Sequence, residues 1–101
     1  MASTSETVII TVNSAVRVSG LLQKPTHARA CYVFAHGAGA GMNHSFMAAV
    51  AAEFASRGIA TLRYQFPYME RGANRPDPPQ LAQATIRAAV AAAVALLPNI
   101  F

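Results

Sequence analysis

The residues best placed for chemistry are His36-Gly37-Ala38-Gly39-Ala40-Gly41, a histidine followed by three alternating glycines. They come directly after the apolar run "CYVFA", Cys31 to Ala35. Small side chains let a backbone come close to a ligand. Free N–H groups in a strand-to-helix loop either bind an anion or stabilise negative charge that develops during a reaction.

Two phosphate-binding patterns do not fit. A nucleotide P-loop needs Gly-Lys followed by Ser or Thr, and this loop has no lysine. The dinucleotide fingerprint needs a third glycine where the chain has Met42 or His44, depending on the starting glycine. The acidic residue expected near the end of the next strand is also missing. Nucleotide or anion binding stays as a lesser alternative, with Arg63 its supporting residue. The other candidates are Arg71, Arg75 and Tyr68 in "FPYMERGANRPDPP". They suit contacts to a substrate, against the plainer reading of solvated loop charges and a packing tyrosine. His44 reads as a surface residue near a helix start, and Tyr64 as packing. Cys31 is the only cysteine and reads as a structural thiol with no disulfide partner. No metal site or cofactor is expected.

These residues need a strand before the loop and a helix after it. Cys31 to Ala35 suits a strand covered on both faces. Ser45 is a candidate N-cap for a helix running to about Arg57. Phe46, Val50 and Phe54 would form its buried stripe, Glu53 and Arg57 an exposed i,i+4 pair, and Gly58 the stop. Ile59 to Phe66 is the next strand, ended by Pro67, and strand-helix-strand implies a parallel pair. Upstream, Thr7 to Val12 and Ala15 to Leu22 flank Asn13-Ser14 and read as antiparallel strands, with Pro25 opposing continuation. A second helix spans about Gln80 to Leu97, with Ile86, Val90, Val94 and Leu97 on one face and alanines for close packing. Pro98 stops it. The fold class is α/β: leading antiparallel strands, a parallel strand-helix-strand unit and a second helix, in one unit over residues 1–101.

Composition narrows the function classes. The chain is 53% hydrophobic and 12% charged, which is a globular balance. Its net charge is +4, but the seven arginines are scattered and no basic run interleaves with aromatics, so no nucleic-acid partner is expected. The N-terminus lacks the basic start and apolar core of a signal peptide. "AAVAAAVALL" is shorter than the roughly 20 residues a spanning helix needs. A cytoplasmic protein without a membrane partner is expected.

With "HG" directly after the strand, the chain resembles the α/β-hydrolase superfamily. In that family a His-Gly-rich loop after an early strand supplies one oxyanion-hole N–H. The resemblance implies that Gly37, Ala38 and Gly39 form this turn, that the Ala38 N–H faces the oxyanion, and that His36 orients the loop. It extends through "LRYQFPYMERG", which is most similar to the small predicted-hydrolase branch related to dienelactone hydrolases. That branch includes the hydrolase-like domain of a subunit of the NSL histone-acetyltransferase complex. The family also needs Gly-x-Ser-x-Gly, then an acid, then a histidine. None of Ser3, Ser5, Ser14, Ser19, Ser45 and Ser56 has glycines two before and two after it, and no histidine follows His44.

The chain is therefore expected to be the N-terminal portion of an α/β-hydrolase-like domain, truncated before the nucleophile elbow. Its complete form would hydrolyse ester or related acyl substrates. The alternative is a non-catalytic protein-interaction module. A partial sheet should expose a strand edge, leaving the chain marginally stable and prone to self-association through that edge. The 101 residues alone should show no serine-hydrolase chemistry. Incubation with a fluorophosphonate probe is expected to leave every serine unlabelled, and stoichiometric labelling at one serine would overturn this.

Overall fold

The computed structural model describes residues 3–35 and 42–100. Strand β1 (Ser3–Thr11) pairs antiparallel with β2 (Arg17–Pro25). Next come β3 (Ala30–Phe34), helix α1 (Ser45–Ser56) and β4 (Ile59–Tyr64), then a single-turn helix α2 (Pro67–Glu70) and the long helix α3 (Pro79–Leu96). The sheet order is β1-β2-β4-β3, with β2 antiparallel and β3 parallel to β4.

The turn of the hairpin is local chemistry. The Ala15 N–H donates to Asn13 Oδ1 at 2.8 Å, and the Val12 and Asn13 N–H groups share the Val16 carbonyl. β2 continues past Leu22, where the sequence reading ended it, and takes in Pro25 as its last residue opposite Ser3. A proline is tolerated there because a strand end does not need every ladder N–H. β4 is shorter than expected. It stops at Tyr64, although the Gln65 N–H still reaches the Ser19 carbonyl at 3.1 Å. Phe66 then becomes the N-cap of α2, with Pro67 in its first turn. The fixed φ of that proline suits the start of a helix, so it ends the strand and begins a turn of helix that hydrophobic periodicity could not reveal.

β4 carries side chains into two layers. Ala60, Leu62 and Tyr64 join Ile10, Val18 and Leu22 of the hairpin and Ala89, Ala93 and Leu97 in one core. Thr61 and Arg63 alternate to the opposite face, the side on which α1 buries Met47, Ala51 and Ala55.

The expected α1 stripe lies one residue off, whereas α3 packs on the sheet through its alanines, as the sequence implies. In α1 the buried row is Met47, Ala51 and Ala55, while Phe46 is exposed and Val50 and Phe54 are half-buried. Phe54 instead packs edge-on against Tyr32, whose ring stacks on Phe34 with centroids 4.7 Å apart. In α3 the buried row is Thr85, Ala89, Ala93 and then Leu97. Ile86, Val90 and Val94 face outward and are each more than 40% exposed. Alanine lets the helix axis approach the sheet closely, so the row of small residues wins the contact and the bulkier neighbours are turned away. Thr85 satisfies its buried hydroxyl by donating to the Leu81 carbonyl at 2.8 Å.

The α1 ends are specified locally. His44, not Ser45, is the N-cap: its Nδ1 accepts the Phe46 N–H at 3.2 Å. Arg57 pairs with Glu53 at 2.9 Å, as the spacing implies. Gly58 adopts φ +79°, the left-handed stop that glycine reaches without strain.

The packing assignment for α3 has a direct test. Ala93→Leu should overpack the sheet and cost about 1–3 kcal/mol. Val94→Ala, one residue along, should stay within about 0.5 kcal/mol of wild type. Urea titration of both variants measures the difference, and equal losses would reverse the assignment.

Candidate functional site

The carboxyl edge of a parallel sheet is where α/β folds place their ligands. In the β3–β4 ladder Phe34 lies opposite Arg63, so the chain leaves β3 at the level where β4 is about to end. The Arg29 N–H donates to the Gly58 carbonyl at 3.0 Å and its Nη2 to the Arg57 carbonyl at 3.2 Å, fixing the start of β3 against the α1–β4 turn. The expected oxyanion residues His36, Gly37, Ala38 and Gly39 lie outside the described residues. The described chain resumes at Met42, which is buried, just before the His44 cap.

Arg63 is the principal charged group at this edge. It is 4% exposed. Its Nη1 donates to the Met42 carbonyl at 3.1 Å and its Nη2 reaches Gln23 Oε1 at 3.5 Å. Its Nε has no acceptor among the described residues. Burial lowers its pKa from the usual arginine value, but a guanidinium titrates so high that the group stays charged. The sequence reading weighed Arg63 only as support for a nucleotide site. A lone charge inside the otherwise apolar "IATLRY" was the available signal that it is buried for a reason.

The segment after β4 carries the other candidates. Tyr68 is buried, with its ring stacked on Phe66, so it packs and does not open to solvent. Its backbone N–H donates to Asp77 Oδ2 at 3.1 Å. Arg71 is exposed and pairs with Asp77 Oδ1 at 3.4 Å, so its charge is partly answered within the loop. Arg75 is exposed on the same loop. Tyr68 and Arg71 therefore meet at Asp77, a residue that sequence reasoning did not single out. Glu70 is a second missed anchor: it accepts the Ser19 N–H and Gln65 Nε2, tying α2 back to β2. Tyr64 is buried, and burial pushes its hydroxyl pKa up, away from a proton-transfer role near neutrality.

Other parts of the chain hold less chemistry. Among the described residues no three His, Cys, Asp or Glu side chains gather as a metal site. Burial raises the Cys31 pKa and keeps it a thiol, in keeping with a structural role. A cleft of about 750 Å³ lies between Lys24–Ala28 and Leu96–Ile100, at the amino end of β3 and β4 and thus away from the candidate edge. No helix among the described residues is long and apolar enough to cross a membrane.

Asp77 should be structurally necessary for the α2 segment. Its side chain is 1% exposed, so Asp77→Ala leaves the Tyr68 N–H without its acceptor. The expected loss is about 1–3 kcal/mol, read by denaturant titration, and an unchanged midpoint would rule out the anchoring role.

A family model described as "Alpha/beta hydrolase domain" matches residues 28–100. Comparison with curated proteins finds no match. Among solved structures, a protein of unknown function from Agrobacterium tumefaciens, described as a candidate alpha/beta hydrolase, superimposes with a TM-score of 0.73 at 23% identity; the match covers 94% of this chain and 45% of that one. Esterase Est22 gives a TM-score of 0.74 at 12% identity, covering 97% of this chain and 31% of that one. A cold-adapted esterase from an Arctic intertidal metagenomic library, solved bound to polyethylene glycol, gives 0.66 at 14% identity, covering 96% and 45%. At these identities the likeness is one of fold, and the chain spans less than half the length of each structure. The four-stranded mixed sheet, its parallel β3–β4 crossover and the match over residues 28–100 together establish that the chain belongs to the alpha/beta hydrolase domain family.

Proposed function

We propose that these residues are the amino-terminal, loop-bearing part of an esterase-like hydrolase acting on ester or related acyl substrates. The supporting observation is the parallel β3–β4 pair in its register. It delivers the chain to the carboxyl edge at Ala35 and takes it up again at Met42, under Arg63. Attack on an acyl carbonyl moves negative charge onto its oxygen, and a backbone N–H at Ala38 would donate to that oxygen as the charge forms. The nucleophile, acid and histidine would come from sequence beyond these residues. The 31–45% coverage of the matched structures supports this division. Within the family we favour the branch related to dienelactone hydrolases, on the strength of "LRYQFPYMERG". Arg75, with no ion pair of its own among the described residues, is the better candidate than Arg71 for contact with an anionic substrate group. As β3 is an edge strand here, self-association of the 101-residue chain through that edge belongs to the same proposal.

The test uses the native gene product. A polypeptide about twice this length, carrying a fluorophosphonate-reactive serine, is the expected finding. In it, Ala38→Pro removes the N–H and should lower kcat about 10²–10³-fold with little change in KM. Ala38→Gly keeps the N–H and should retain activity. A longer product that resists labelling, or an Ala38→Pro variant with full kcat, would overturn the reading.

A further inference from the structure

We propose that Thr61, Arg63 and Gln23 form a buried binding site for one compact monovalent anion of chloride size, between the sheet and helix α1. The site is built from β2 and β4 alone and is independent of the hydrolase reading.

Three polar side chains share one face of the sheet. Thr61 and Arg63 are two apart on β4, so they leave the same face, roughly 7 Å apart along the backbone. Gln23 is the antiparallel ladder partner of Thr61 and stands beside it on that face. Thr61 is wholly buried and Arg63 is 4% exposed. Each keeps a polar atom unmet: Thr61 Oγ1 and Arg63 Nε are buried and have no hydrogen-bond partner among the described residues. Gln23 turns its Oε1 to Arg63 Nη2 at 3.5 Å, which leaves its Nε2 as a further donor. On the same side α1 buries Ala51 and Ala55, whose methyl groups offer no acceptor to these donors and take up little room.

Buried polar groups are satisfied by protein or by a bound species. Charge decides which species fits here. The guanidinium stays protonated when buried, and a buried charge calls for an opposite one close by. The whole chain has four acidic side chains, Glu6, Glu53, Glu70 and Asp77. Glu53 pairs with Arg57 and Asp77 with Arg71. Glu70 accepts from Ser19 and Gln65. Glu6 lies in the ladder row Glu6–Leu22–Leu62, on the other face of the sheet. Arg63 has no ion pair among the described residues, and its acceptors are a carbonyl and a side-chain amide, both neutral. A water could accept from Nε but would leave the charge unanswered. A cation is repelled by the guanidinium, and a divalent oxyanion would overcompensate it. One halide-sized anion accepts from the Arg63 Nε–H and the Thr61 O–H together and neutralises the charge.

Urea titration of the 101-residue chain at constant ionic strength, with chloride or bromide replacing gluconate, tests the proposal. The folded-to-unfolded ratio should rise about tenfold once the halide reaches ten times its Kd. Thr61→Val keeps the side-chain shape and removes the hydroxyl. It should weaken halide affinity about tenfold and leave the midpoint in gluconate unchanged or higher. Arg63→Met should abolish the halide dependence; if that variant does not fold, Thr61→Val carries the comparison. In crystals grown with bromide, an anomalous peak should lie within hydrogen-bond reach of Thr61 Oγ1 and Arg63 Nε. Equal halide stabilisation of wild type and Thr61→Val would overturn the proposal, because it would mark binding at the exposed arginines. A midpoint indifferent to halide, or an ordered water where the bromide is expected, would overturn it as well.

Discussion

The structure depends on β4 being buried on both faces. Leu62 and Ala60 point into one layer and Thr61 and Arg63 into the other, and every residue from Ala60 to Tyr64 is buried. Among the described strands it has three kinds of duty. It pairs antiparallel with the hairpin, pairs parallel with β3, and supports helices on both sides. Its register decides where β3 ends, and so where the chain leaves the sheet at Ala35. A one-residue slip would exchange the two faces, placing Arg63 in the apolar layer and Leu62 on the side of α1 and Met42. The hydrophobic demand of the core thereby fixes the polar contact between Arg63 and Met42.

Strand existence and direction were legible in the sequence because each strand carries its own signal. β-Branched runs mark the hairpin, and an apolar run followed by glycines marks β3. Short strand-helix-strand spacing forces the parallel crossover. The packing of α3 through its alanines was legible too, but the buried face of α1 was not. Hydrophobicity favoured Phe46, Val50 and Phe54 there, yet the sheet accepted the neighbouring row of Met47, Ala51 and Ala55. The rule that failed weighs side chains by their apolar area, whereas contact with a sheet is limited by how near the backbone can come. The N-cap error has a similar origin: His44 competes with Ser45 for the same duty, and only the backbone shows which residue stands outside the first turn.

At the site, legibility followed sequence distance. The glycine segment stands out in the sequence because its residues are contiguous, though residues 36–41 lie outside the described ones. The contacts of Asp77 with Tyr68 and Arg71, of Glu70 with Ser19, and of Arg63 with Gln23 and Met42 join residues from separate elements. No local pattern announces them. The isolated charge in β4 and the isolated acid among the prolines of the following loop were the available hints. From the sequence, Arg63 suggests only a nucleotide site and Asp77 suggests no role.

The β2–β4 ladder has a consequence for how the chain assembles. The hairpin closes over a short turn, and β3, α1 and β4 follow one another in a compact crossover, so each unit can form from neighbouring chain. Joining them requires Gly20 to meet Tyr64 and Gln23 to meet Thr61. This contact spans the greatest sequence separation in the sheet and has the largest loop-closure entropy to overcome. Folding is therefore a docking of two local units along a four-residue seam. Leu22 and Leu62, the buried pair at the centre of that seam, belong to the step that commits the chain to its native topology.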